Sequence, residues 1–163
     1  FSLLLEEVRK RTGQLAYEPT EVLDEAYLRK QVNFIQSLFA YGMVVQSALM
    51  AREWVVNWAI WYKAGRAALQ REYWLHDEFR DRVEHELSNA FPARETSSCQ
   101  LVWLDNPKLS DLLKQLWPDL RDLRNDLAHC GMRLSPRPPR ALYAQTEEYL
   151  LRLHEVMNLS SAG

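Results

Sequence analysis

Residues 43–64 constrain this chain more than any other stretch. Met43, Val44, Val45, Leu49, Trp54, Val55, Val56, Trp58, Ile60 and Trp61 crowd into it, and only scattered polar residues such as Gln46, Arg52, Glu53 and Asn57 interrupt them. A near-continuous helix former that is apolar on most sides reads as a central buried helix. Trp54, Trp58 and Trp61 fall on one face at four- and three-residue spacing. An aromatic stripe of this kind can stack bases, but it serves far more often as core or as a dimer interface, and core is the reading adopted. Arg52 and Glu53 need partners in so apolar a setting. An internal ion pair answers that need; a supporting role beside an active site is the other reading.

The rest of the chain supplies helices to cover that segment. Residues 1–13 read as a short helix ending at Gly13, and 14–19 as a connection closed by Pro19. Thr20 is the expected cap of a helix from Val22 to about Phe39, with Leu28, Val32, Ile35 and Phe39 inward. Tyr41-Gly42 marks a break. Residues 66–87 read as a charged helix with Leu69, Tyr73, Phe79, Val83 and Leu87 inward and His76 and His85 on the wet face. Residues 88–107 lose the helical pattern around an apolar anchor, Leu101-Val102-Trp103-Leu104. A short helix over 108–117 is expected, then a second starting at Pro118, which suits a first helical turn. Residues 132–140 hold Pro136, Pro138 and Pro139, which preclude regular structure, and an amphipathic helix over 141–158 closes the chain. Only five glycines in 163 residues favour helices over a turn-rich β fold. The expected fold is an all-α bundle of five to seven helices forming one domain over residues 1–163. The chain starts at Phe1 rather than methionine, and residues 1–19 fit either a linker helix from a preceding sensor domain or simply the first helix of this one.

The chemistry concentrates near a helix end, in Arg124-Asn125-Asp126-Leu127-Ala128-His129-Cys130-Gly131. Leu120, Leu123 and Leu127 give this segment an apolar stripe, and Gly131 is a plausible stop. Arg-x4-His occurs three times, also at Arg71/His76 and Arg80/His85, so the interval alone is weak. Context singles out the third copy. Five helical residues rotate by about 140°, so Arg124 and His129 do not share a face. Acting together requires the helix to end before His129 or a second copy of the chain to complete the pair. RNA carries its own nucleophile, the 2′-hydroxyl beside the phosphate. Histidine moves protons near neutral pH, and arginine's fork meets the charge that develops on phosphorus oxygens. No metal is needed for that reaction, and neither Cys99 nor Cys130 has a partner at zinc-ligand spacing. Arg133, Arg137 and Arg140 follow with no acid between them, a basic loop suited to RNA phosphates or simply a solvated connection. The formal net charge of −2 argues against a wholly basic coat protein but allows such a local site.

Arg124-Asn125-Asp126-Leu127-Ala128-His129 resembles the Arg-polar-x3-His motif of the HEPN superfamily of ribonucleases. With Cys130-Gly131-Met132-Arg133 it is similar in particular to the HEPN domains of ancillary ribonucleases of type III CRISPR systems. The resemblance covers about ten residues. It implies a HEPN-like two-fold homodimer formed through the motif helix, with Arg124, Asn125 and His129 catalytic in a composite site. Arg133, Arg137 and Arg140 would bind single-stranded RNA, and Arg52, Glu53 and Asp126 would support the site. The implied activity is metal-independent endoribonuclease cleavage, without a cofactor, by the effector domain of a defence protein. A cyclic oligoadenylate bound by an N-terminal CARF domain would activate it. Two other readings fit the same residues: an inactive helical dimerisation or interaction module, and a nucleotide-binding module. The absence of an apolar run near the ~20 residues of a membrane span, and of a signal peptide, leads to the expectation of no membrane partner and a cytoplasmic location.

Overall fold

The computed structural model describes residues 21–92, 101–128 and 138–161. They form six helices and one small ribbon. In chain order these are β1 (Val22–Leu23), α1 (Glu25–Ala40), α2 (Val44–Lys63), β2 (Leu69–Gln70), α3 (Arg71–Trp74), α4 (Asp77–Ala90), α5 (Pro107–Ala128) and α6 (Pro139–Ser161). The all-α expectation holds in this coarse form.

The stripe on α1 is the expected one: Leu28, Val32, Ile35 and Phe39 are buried. Its start is not. Val22 and Leu23 pair antiparallel with Gln70 and Leu69, and Asp24 caps the helix by accepting from the Tyr27 N–H at 2.7 Å. Thr20 and the expected elements over 1–19 lie outside the described residues. Gly42, at φ 78°, ends α1. Gly42 N–H donates to the Phe39 carbonyl and Met43 N–H to that of Leu38, both at 2.9 Å, the paired closure that a left-handed residue permits.

Helix α2 is the centre. Trp54, Val55, Val56, Trp58, Ala59, Ile60 and Trp61 are all buried, so the tryptophan stripe is core. Trp54 Nε1 donates to the Leu28 carbonyl at 2.9 Å and Trp58 Nε1 to Ser160 Oγ at 2.8 Å, which satisfies the polar end of each ring. The first turns differ: Met43, Val45 and Leu49 remain exposed.

The single helix expected over 66–87 is broken into β2, α3 and α4. The break at Leu75-His76 rotates Tyr73 into solvent and lets Trp74 take the buried place. His76 and His85 are exposed, as expected. Helix α5 corrects a second boundary. It runs unbroken through Pro118 instead of starting there. The first-turn proline is Pro107, and Asn106 caps the helix through Oδ1, which accepts from the Lys108 N–H at 3.0 Å. An internal proline costs about 3 kcal/mol. Leu109, Leu113, Leu116, Leu120 and Leu123, all buried on both sides of it, contribute about 1.5–3 kcal/mol each, so packing wins. The closing helix likewise begins earlier than expected, at Pro139, because proline is tolerated in a first turn.

Candidate functional site

Contacts between helix ends fix how the bundle is threaded. Helices α1 and α6 run antiparallel: Arg29 Nη2 donates to Ser161 Oγ at 2.9 Å at one end, and the Phe39 and Tyr143 rings lie 4.5 Å apart at the other. Helices α2 and α5 are also antiparallel, with Tyr62 Oη on Asp105 Oδ1 at 2.9 Å and the Arg52 guanidinium 5.4 Å above the Trp117 ring. Arg152 and Asp119 pair at 3.4 Å and set α6 against α5. The end of α1, the start of α2, the end of α5 and the start of α6 therefore share one pole of the bundle. The described part of the motif, from Arg124 to Ala128, stands at that pole.

Successive residues of α5 turn by about 100°, so the motif side chains point in different directions. Leu120 and Leu123 point into the core. Arg124 is exposed, Asn125 is half-buried, and Asp126 has swung inward to 8% exposure. The Arg124 Nη1 donates weakly to Asn125 Oδ1 at 3.4 Å, and no carboxylate among the described residues pairs with that guanidinium. Buried leucines thus anchor a helix that carries a charged fork outward. His129, Arg133 and Arg137 lie outside the described residues, as does the expected stop at Gly131. Arg140 is exposed in the first turn of α6 at the same pole.

Arg52 is largely buried and Glu53 is exposed, so only the arginine needed partners; the pair bond each other and both reach α4. Arg52, its side chain 13% exposed, pairs with Glu53 at 2.8 Å and with Glu84. Arg80 bonds Glu53 Oε2 at 3.0 Å and Asn57 Oδ1 at 2.6 Å. Lys63 holds both oxygens of Glu86 at 2.7 Å, and Trp103 Nε1 adds a bond at 3.0 Å. Burial pushes the Glu86 carboxyl up, but the bonds from Lys63 and Trp103 outweigh it and hold the group below its ordinary range. These ties clamp α4 onto α2. Arg52 sits level with Trp117, which is seven residues or about 10 Å of helix from Arg124. Its demonstrated contacts are structural, and Asp126 belongs to the packed side of α5.

Sequence reasoning missed Glu84 and Trp117 as the partners of Arg52, because 32 and 65 residues separate them and no local pattern links them. It also missed Tyr143, which is exposed at the same pole. Its three-residue spacing from Arg140 was the available signal. Among the described residues, no group of three or more His, Cys, Asp or Glu is placed to hold a metal ion, and no helix is long and apolar enough to cross a membrane. No protein-family model, no curated protein and no solved structure matches this chain.

Proposed function

We propose that this chain is an endoribonuclease domain of HEPN type that cleaves single-stranded RNA without a metal ion. One observation supports it most: Arg124 is presented to solvent on a firmly packed helix, with only the Asn125 amide beside it among the described residues. A cation carried on a packed helix and not neutralised by a described carboxylate is what an incoming phosphodiester requires.

In this reading the 2′-hydroxyl attacks phosphorus, the bond to the 5′-oxygen breaks, and the products carry a 2′,3′-cyclic phosphate and a 5′-hydroxyl. Arg124 holds the phosphoryl oxygens as their charge grows. His129 takes the 2′-hydroxyl proton or delivers one to the leaving oxygen. Asn125 orients the phosphate or the imidazole. A second copy of the chain, docked through the motif helix, would complete the site, and a cyclic oligoadenylate sensed by a preceding CARF domain would switch it on.

Single-stranded RNA incubated with excess EDTA provides the test. Cleavage that persists in EDTA and disappears in His129→Ala supports the proposal. Equal background in wild type and variant sinks it and leaves a helical interaction module. A DNA oligonucleotide must survive, since it lacks the attacking hydroxyl.

A further inference from the structure

The pole that carries Arg124 also carries an aromatic ring that packs on the core with one face and leaves much of the rest to solvent. Tyr143 is 47% exposed, yet its ring is not loose. It packs 4.5 Å from the Phe39 ring, at an interplanar angle of 37°, and Phe39 is buried. A tyrosine has few rotatable bonds, and one backed by a core side chain offers a fixed surface at little entropic cost. Arg140 lies three residues earlier on α6, so it shares that helix face. No described residue pairs with it. Glu147 lies four residues later on the same face and is exposed, so charge along this strip runs from positive to negative.

The pairing of Arg152 with Asp119 gives the level of these groups. Tyr143 lies nine residues before Arg152, about 13.5 Å along α6, and Arg124 lies five residues after Asp119, about 7.5 Å along α5. The two are offset by about 6 Å along the bundle axis, but nine residues carry Tyr143 half a turn round α6 from the face that meets α5, so Tyr143 stands on the α1 side of the pole and Arg124 on another, and a strand held by both passes across the pole.

We infer that Tyr143 is a stacking platform for a base of single-stranded RNA, with Arg140 holding the adjoining phosphate. The inference rests on the ribonuclease reading of this pole and names how the substrate is seated there. An unpaired base has an apolar face for the ring, and its phosphate meets the one cation on that strip. Glu147 repels phosphate and so directs the strand's backbone toward Arg140. A carboxylate so placed would not impede an uncharged partner.

The test measures binding of fluorescent single-stranded RNA by anisotropy in a His129→Ala background, and KM and kcat for cleavage in the otherwise wild-type chain. Tyr143→Ala should weaken binding by about tenfold, with a larger change in KM than in kcat. Tyr143→Phe and Tyr143→Trp should restore binding to within about twofold, because the ring and not the hydroxyl does the stacking. Arg140→Ala should weaken binding and reduce the salt slope by about 0.7. Glu147→Gln should tighten it. Binding unchanged in Tyr143→Ala overturns the inference, as does equal weakening in Tyr143→Phe. Sedimentation showing that Tyr143→Ala breaks up an oligomer also overturns it, since the ring would then belong to a protein interface. RNA that is bound in a Tyr143-dependent way but never cut removes the nuclease and leaves the platform. Cutting with Tyr143-independent affinity does the reverse, and absence of both binding and cutting removes both.

Discussion

The two poles of the bundle are built differently. At the pole where α1 begins, Arg29 and Glu25 bond Ser161, Arg66 donates to the Ser160 carbonyl at 2.9 Å, Trp58 reaches Ser160 Oγ, and Tyr62 holds Asp105. The bonds from Ser161 and Arg29 keep the Glu25 carboxyl below its ordinary range, while burial and the Asp105 contact push the Tyr62 phenol up. At the other pole Arg124, Arg140, Tyr143, Met43, Val45 and Leu49 face outward. Polar side chains at the first pole are spent on one another and set the helical register. At the second, Arg124 and Arg140 meet no carboxylate among the described residues. A bundle fixed firmly at one end can carry a chemically exposed other end, and the candidate site lies away from the ties among Glu25, Arg29, Arg66 and the end of α6.

Stability should divide along the same line. Trp58→Ala removes a fully buried ring and its bond to Ser160, and should cost about 3–5 kcal/mol in chemical denaturation. Leu49→Ser at the exposed pole should change stability by no more than about 0.5 kcal/mol. Similar losses for the two would show that the poles are not energetically distinct. Arg124→Ala reverses the pattern. It should leave the melting temperature nearly unchanged and slow RNA cleavage about 100- to 1000-fold, the usual loss when a fixed transition-state donor is removed. A comparable loss of melting temperature would mark Arg124 as structural.

Arg52→Ala should have a smaller effect and fall between these extremes. It deletes the contact above Trp117 and the tie to Glu84, but Glu53 and Glu84 keep access to water. The expected cost is about 1–2 kcal/mol, read as a lower midpoint in urea. Hydrogen exchange should rise mainly in α4, because that helix buries only Val83, Leu87 and Ala90 and relies on charged ties to α2. Exchange rising instead in α5 near Arg124 would make Arg52 a support of the candidate site.

How far the sequence disclosed this division depends on the range of each interaction. Leu28, Val32, Ile35 and Phe39 declared α1 by spacing alone, and the tryptophans of α2 declared the core. Boundaries were hidden where a local signal had two meanings. Val22 and Leu23 continue the apolar pattern of a helix, yet pair with β2, because a two-residue ribbon has no periodicity of its own. Pro118 has the look of a helix start, but Asn106 had already capped the helix and leucines on either side carry it through. The need of Arg52 for a partner was legible; Glu84 was not, since charge partners across a bundle leave no local trace. At the site, the exposure of Arg124 and the burial of Asp126 do not follow from the leucine stripe, since Arg124 is one turn from Leu120 and nearer the stripe's centre than Asp126; like the seat of Tyr143 on Phe39, they depend on how the neighbouring helices cross.

The smallest effect concerns His154 on α6, whose imidazole is held below its ordinary pKa of 6.5, first by burial and then by the charge of Arg29. Between the folded pKa and 6.5 the unfolded chain binds more protons than the folded one. Stability therefore falls as pH drops from about 6.5 toward the folded value, and the contribution is complete above 6.5. His154→Gln removes that component without adding charge. Urea midpoints from pH 8 to pH 5 should fall more steeply for wild type than for the variant. Glu25 and Glu86, both lowered carboxyls, lose their contributions only at lower pH, so the difference between the two curves isolates the imidazole. Arg29 is also the residue that grips Ser161, so protonation of His154 places a second cation near the tied pole. Parallel curves would mean that the histidine reaches water freely in the folded state, and that the tied end of the bundle is looser than its hydrogen bonds indicate.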